Sequence, residues 1–291
     1  MAAVSGPLLA GEAYGDVGDV GRPLELAAIF GDNDLDDAVT GESGFGKPFP
    51  DNCVLYDSLG ADTPSTGRIA KIDGSGSKTY LGTAETLIRD DIVISASHIV
   101  TASETARIRP DDELVFEVHE PADDKCRIST HRIIDYRVLT STPSNPRCAH
   151  LDFALFRLED RVAFYRPLKL ASPDLVEDFR TGKTAATKFG FANHPSTDFG
   201  RAWSIVTTTA RPLESRDPSC LNANLFAYEG DAWSGESGAA FRVDGEMVGM
   251  HLRGYDNEFS EFSKSRANIG ALVSNEVRQR ITAIMRELNG E

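Results

Sequence analysis

From Gly67 onward the chain is a succession of short segments rich in β-branched and aromatic residues, each bounded by turn formers. RIAKI (68–72), TYLGTAETLI (79–88), DIVISA (91–96), ELVFEVH (113–119), HRIIDYRVL (131–139) and FALFRL (153–158) form a first series. AATKFGF (185–191), RAWSIVTTTA (201–210), NLFAYE (224–229), GAAFRV (238–243), EMVGMHLRG (246–254) and ANIGALV (267–273) form a second. Strands this short, punctuated this often, favour antiparallel barrels or sandwiches, and two sets of about six suggest two barrels. VDGEM (243–247) reads as the turn of a hairpin. The one strong helical signal comes last, where NEVRQRITAIMREL places Val277, Ile281, Ile284 and Leu288 on one face behind Ser274 as N-cap. The expected fold is all-β: two six-stranded antiparallel β-barrels over residues 66–165 and 166–272, then a C-terminal α-helix over 273–291 packed on the second barrel.

Residues 1–65 differ in texture, being rich in Gly, Asp and Pro without sustained periodicity, and read as an extension, pro-segment or surface strap. Their acid cluster, Asp32, Asp34, Asp36 and Asp37, alternates like a calcium loop. The sixth position is Asp37 where glycine is needed and the twelfth is Ser43 where glutamate is needed, so the cluster reads as a solvated loop. The 291 residues carry 30 basic and 45 acidic side chains, a net charge of −15. A field of that sign repels polyanions and speaks against nucleic acid as a partner. No apolar run approaches the roughly 20 residues that cross a bilayer, so no membrane span is expected. The N-terminus lacks a basic region followed by an apolar stretch, which favours a cytoplasmic chain, or a secreted one if the sequence is a trimmed form. Cys53, Cys126, Cys148 and Cys220 contain no CxxC pair and leave three disulfide pairings open. The six histidines form no HxxxH pair, so neither a metal site nor a cofactor is expected.

Three segments place a reactive side chain beside strand-like or Gly-rich sequence, in the order His, Asp, Ser. In VISASHIV, His98 follows a strand and a small-residue stretch; in HLDFALFRLE, Asp152 opens an apolar strand. In GDAWSGESGAAFRVDGEMVGMH, glycines flank Ser237 just before a strand, which gives the backbone freedom to display a hydroxyl on a tight turn. The same turn can aim the N–H groups of Gly235 and Ser237 at one point, as an oxyanion hole requires. Each segment alone is a weak signal.

Taken together, these blocks resemble the trypsin/chymotrypsin-like serine peptidases, particularly the bacterial branch that includes the glutamyl endopeptidases. GTAETLIRDDIVISASHIV (82–100) is similar to the block around their histidine, LDFALFRL (151–158) to that around their aspartate, and GDAWSGESGAAFRVDGEMVGMH (230–251) to that around their serine. RANIGALVSNEVRQRI (266–281) resembles their closing strand and helix, and IFGDNDLDDAV (29–39) more faintly a segment near their mature N-terminus. The resemblance implies a serine endopeptidase working through an acyl-enzyme: Ser237 as nucleophile, His98 as general base and then acid, Asp152 as the carboxylate that orients the imidazole. The cleft between barrels would then hold an extended peptide against Leu252, Arg253 and Gly254. Glu236 stands where digestive members have Asp, and SGAAF replaces the usual SGGP or SGSP. Arg68-Ile69 resembles their activation cleavage only superficially, so a site formed without insertion of a new N-terminus is expected.

Substrate preference divides. His251 stands where glutamyl endopeptidases and related viral proteases use an imidazole to bind Glu or Gln before the scissile bond, with Arg253 adding positive potential. Asp231 stands six residues before Ser237, where trypsin carries the aspartate that selects Arg or Lys. The other readings are an inactive interaction module on the same fold and an esterase using the same three residues. The expected partner is a protein or peptide substrate, with a regulatory partner or self-inhibition by the extension as further candidates.

Overall fold

A computed structural model of the chain describes residues 66–101, 108–122, 125–139, 150–163, 166–192, 202–212, 224–229, 232, 235–253 and 268–289. The expectations for the 1–65 extension, Asp231, Gly254, Cys53, Cys148, Cys220 and the side chain of Cys126 fall outside the described residues.

Six strands make the first barrel: β1 (Thr66–Ile72), β2 (Lys78–Leu87), β3 (Arg89–Ser95), β4 (Glu113–Ala122), β5 (Lys125–Val138) and β6 (Ala154–Leu158). They close in the order β1-β2-β3-β6-β5-β4, with β1 pairing antiparallel to both β2 and β4. One face of this sheet carries Ile69, Ala84, Phe116 and Phe156, all fully buried. Alternation explains the two charges inside β1 and β4. Arg68 faces Glu117 directly across the ladder, and the guanidinium donates to that carboxylate at 3.0 Å while lying 3.7 Å from the Tyr80 ring centre. Each charge is desolvated only in company.

The second half follows β7 (Lys169–Leu170) with β8 (Ala186–Ala192), β9 (Ala202–Thr208), β10 (Arg211–Pro212), β11 (Leu225–Tyr228), β12 (Ala240–Val243), β13 (Glu246–Arg253) and β14 (Asn268–Leu272). Its sheet runs β10-β11-β14-β13-β12-β8-β9 and curls into a half-barrel, with β7 added parallel to β13. The expected hairpin joins β12 to β13, where Val243 faces Glu246 across a two-residue Asp244–Gly245 loop. Phe226, Tyr228, Phe241 and Phe179 fill the curl, with edge-on ring pairs such as Tyr228–Phe241 at 4.7 Å. Each buried ring of this kind is worth about 1.5–3 kcal/mol of apolar transfer.

Besides a single turn, α1 (His98–Thr101), two helices occur among the described residues. One, α2 (Pro173–Arg180), is absent from the sequence-based expectation although its start is well marked: Ser172 accepts the Leu175 N–H at 3.2 Å and Pro173 opens the first turn. The other, α3 (Asn275–Asn289), buries Val277, Ile281, Ile284 and Leu288 as its periodicity predicts, and the Ser274 hydroxyl accepts the Val277 N–H. Its placement goes beyond the expectation that it packs on the second barrel. Arg157 of β6 donates to the Leu288 carbonyl at 2.8 Å and Arg280 donates to the Leu139 carbonyl at 3.1 Å, so the helix is also tied to the first barrel. The last-turn carbonyls of a helix lack internal partners and carry partial negative charge, which an arginine from β6 meets. No helix among the described residues is long and apolar enough to cross a membrane.

Candidate active site between the barrels

The first barrel supplies an imidazole and its carboxylate. Strand β3 ends at Ser95, two small residues follow, and α1 begins at His98, which puts the ring at the barrel rim. Asp152, two residues before β6, receives three hydrogen bonds: from the Ser97 hydroxyl at 2.5 Å, from the His98 backbone N–H at 2.8 Å and from His98 Nδ1 at 2.6 Å. The carboxylate thus holds a hydrogen on Nδ1, which leaves Nε2 as the basic nitrogen whenever the His98 ring is neutral. Burial pushes the Asp152 carboxyl upward, but the His98 charge and these donors outweigh it and bring the group down to about 2. Asp152 is nearly closed to solvent, whereas the His98 side chain remains 26 % exposed and open to a ligand.

The second half supplies the serine. Gly235 at φ 96° and Gly238 at φ 94° bracket Glu236 and Ser237 in a backbone shape that side-chain-bearing residues resist. Space makes the same demand at Gly238, where a Cβ would lie 2.1 Å from Ser95 Oγ and 3.0 Å from the Ala96 nitrogen. The backbone after Ser237 therefore rests on the segment that leads into His98. Ser237 Oγ donates to the Leu252 carbonyl at 3.2 Å, and Gly238 N–H donates to the His251 carbonyl at 2.9 Å, so the start of the turn is stitched to the end of β13. Among the described residues, the Gly235 and Ser237 N–H groups have no acceptor.

Thr83 of β2 joins the two halves at this point, a role its place within a strand hides. Its N–H donates to the Ser237 carbonyl at 2.9 Å and its hydroxyl donates to the Gly235 carbonyl at 3.0 Å. The same hydroxyl accepts Phe191 N–H at 2.9 Å, and the Thr83 carbonyl accepts the Ser95 hydroxyl at 2.6 Å. One residue thus spans the turn of the serine, strand β8 and the strand before His98.

His251 is enclosed in β13, 1 % exposed. The Tyr228 hydroxyl lies 2.7 Å from His251 Nδ1, a partner the sequence did not signal because NLFAYE reads only as strand. Burial, followed by the positive charges of Lys188, His98 and Arg253, drives the His251 imidazole well below its ordinary range, so the ring is neutral. Leu252 is fully buried and Arg253 partly so. The structure thus gathers His98, Asp152, Gly235, Ser237, His251 and Leu252 at one seam, with Arg253 at its margin.

The chain matches no protein-family model and no curated protein sequence. Among solved structures it is similar to one described as "Structure of GrC", a protein of the chymotrypsin fold, at 17 % identity over 76 % of this chain and 94 % of that one, with a TM-score of 0.53. With its closed barrel, curled half-barrel and terminal helix, the molecule has the two-barrel fold of trypsin and chymotrypsin.

Proposed function

We propose that the protein is a serine endopeptidase, hydrolysing peptide bonds through Ser237, His98 and Asp152. The observation that carries this reading is the His98–Asp152 pair, locked by three donors at the first barrel's rim, together with a Gly-bracketed serine turn of the second half that rests on the Ser95–Ala96 segment leading into His98. In the reaction the Ser237 hydroxyl leaves the Leu252 carbonyl, an exchange of about 1 kcal/mol, and gives its proton to His98 Nε2 as Oγ attacks the scissile carbonyl. The tetrahedral oxyanion is received by the Gly235 and Ser237 N–H groups, each worth about 3–4 kcal/mol in the transition state. His98 returns the proton to the leaving amine, and water repeats the sequence on the acyl-enzyme.

The glutamyl endopeptidase-like branch is the favoured placement, with Glu or Gln preferred before the scissile bond. A neutral His251 whose Nδ1 accepts the Tyr228 hydroxyl carries its hydrogen on Nε2, and so offers a donor to a side-chain carbonyl. Leu252, Arg253 and Gly254 would pair with the substrate backbone, and the 1–65 segment is assigned a regulatory role outside the barrels of 66–165 and 166–272.

The test is labelling by an organofluorophosphonate followed by peptide-library cleavage. Ser237 is expected to carry the label, and Ser237→Ala or His98→Ala to lose about four orders of magnitude or more in hydrolysis while folding normally. Full activity in purified Ser237→Ala would refute the assignment, and a folded wild-type chain that neither labels nor cleaves would indicate an interaction module. For specificity, His251→Ala should weaken cleavage after Glu or Gln more than Asp231→Ala does; the opposite ranking would mark a pocket for Arg or Lys.

A further inference from the structure

Strand β2 of the first barrel meets the serine turn of the second half at backbone distance. A Cβ at Gly82 would lie 2.7 Å from the Ser237 carbonyl oxygen, and one at Gly238 would lie 2.2 Å from the Thr83 carbonyl oxygen. Thr83 is fully buried in this contact. Its hydroxyl has one hydrogen and two lone pairs to share. Phe191 N–H can only donate, so it takes a lone pair at 2.9 Å; the Gly235 carbonyl can only accept, so it takes the hydrogen at 3.0 Å. Neither assignment can be reversed, and the hydroxyl is fixed in direction from both sides.

The two carbonyls that end on Thr83 are those of Gly235, which meets the hydroxyl, and Ser237, which meets the Thr83 N–H at 2.9 Å. They belong to the peptide planes on either side of the plane that carries the Ser237 N–H. The first of them also leaves from Gly235 Cα, whose own N–H is the other donor of the turn. Gly235, at φ 96°, has no side chain to restrain its rotation, so the carbonyl is where it can be held. At the same residue the Thr83 carbonyl accepts the Ser95 hydroxyl at 2.6 Å, three residues before His98. The turn that presents Ser237 and the segment that presents His98 are thus referred to one point in β2. A hydroxyl serving only to satisfy buried polar groups would matter for stability alone; one placed between the two donors also sets their aim.

We infer that Thr83 is a positioning residue whose hydroxyl, reaching from the first barrel to the Gly235 carbonyl, aims the Gly235 and Ser237 N–H groups at the developing oxyanion, so that the seating of one half on the other sets the reactivity of the serine. The inference rests on Ser237 being the nucleophile.

The experiment uses the full chain carrying Thr83→Val, Thr83→Ala or Thr83→Ser, with Thr86→Val as control. Thr86 is a neighbour in β2, fully buried, and its hydroxyl has no hydrogen-bond partner among the described residues. Near-ultraviolet circular dichroism and thermal unfolding report the fold. The phosphonylation rate of Ser237 by an organofluorophosphonate, with kcat and KM for p-nitrophenyl acetate, reports the site. Thr83→Val should slow phosphonylation by about 10- to 100-fold, short of the about 100- to 1000-fold of a donor removed outright, and lower kcat with little change in KM. Thr83→Ser keeps the hydroxyl and should stay within about threefold of the parent on the same measure. Thr86→Val should match the parent. A folded Thr83→Val chain that melts earlier yet reacts at the parent rate overturns the inference, and so does an equal loss of rate in Thr86→Val. Where valine prevents folding, Thr83→Ala, which crowds nothing, decides by the same rates. A parent chain that takes no label at Ser237 refutes the hydrolase reading itself; a labelled parent equalled by the hydroxyl-free variants refutes only the role of Thr83.

Discussion

At the rim of the first barrel Asp152 is nearly closed to solvent, and so is Glu85 at the seam where β2 meets β12, at 7 % and 0 % exposure. Asp152 collects three donors at 2.8 Å or less and is held at about 2. Glu85 accepts one backbone N–H, from Ala240 at 3.0 Å, and the Arg242 Nη1 lies 3.9 Å from its Oε2; burial pushes it up to about 7. Its Oε2 has no hydrogen-bond partner among the described residues. The two carboxyl groups share their burial and differ in donors, so donor count and distance decide which keeps a full charge. Asp152 is built to be ionised and to orient a ring, while Glu85 sits close to its balance point at neutral pH.

The contrast is broken most sharply at the rim. Asp152→Asn keeps the volume but presents an amide where the ring needs an acceptor, which favours the His98 tautomer unable to take the serine proton. We expect kcat to fall by about 10⁴-fold with the fold intact, as for loss of the equivalent group in such triads. The corresponding change at the seam, Glu85→Gln, should leave the rate of Ser237 phosphonylation close to that of the parent. Similar losses in both variants would mean that the seam, and not the imidazole partner, limits the reaction. Stability follows the same division: the depressed Asp152 group contributes stability that is present above about pH 3.8 and lost as pH falls through about 2.

What could be read from the sequence follows this difference between local and distributed chemistry. His98, Asp152 and Ser237 are each weak signals alone and draw notice only as an ordered set, each standing at a strand end or turn beside small or glycine residues. The strand series was equally legible, since each segment carries its own alternation and turn. Thr83, Tyr228 and Lys188 were not, because each occupies an ordinary position in a strand. A lysine inside AATKFGFA reads as solvent-facing until β12 covers it and brings Glu236 alongside. Helix α2 went unread because only Val176 and Phe179 of its residues are buried, too few to show a period. The attachment of α3 to the first barrel rests on Arg157 and Arg280 reaching carbonyls 131 and 141 residues away, and no local pattern encodes that.

Glu85 sharpens the comparison through a smaller effect, on stability. Its carboxyl stands at about 7 in the folded protein against an ordinary 4.5, so between those values the folded chain keeps a proton that the unfolded chain has released. Stability therefore falls as pH rises from about 4.5 to about 7, and the cost, of order 3 kcal/mol, is complete above that range. His251 acts in the opposite sense: its depressed group makes the unfolded chain the better proton binder, and stability rises with pH through about 6.5. The difference between parent and Glu85→Gln isolates the carboxyl from this background, since the amide can still accept the Ala240 N–H. Measured by thermal unfolding, the variant should match the parent near pH 4.5 and exceed it by several degrees at pH 8, with the gap opening between those points. A gap that stays constant across the range would mean that Arg242 keeps Glu85 ionised throughout, and that the seam is held by charge as firmly as the rim.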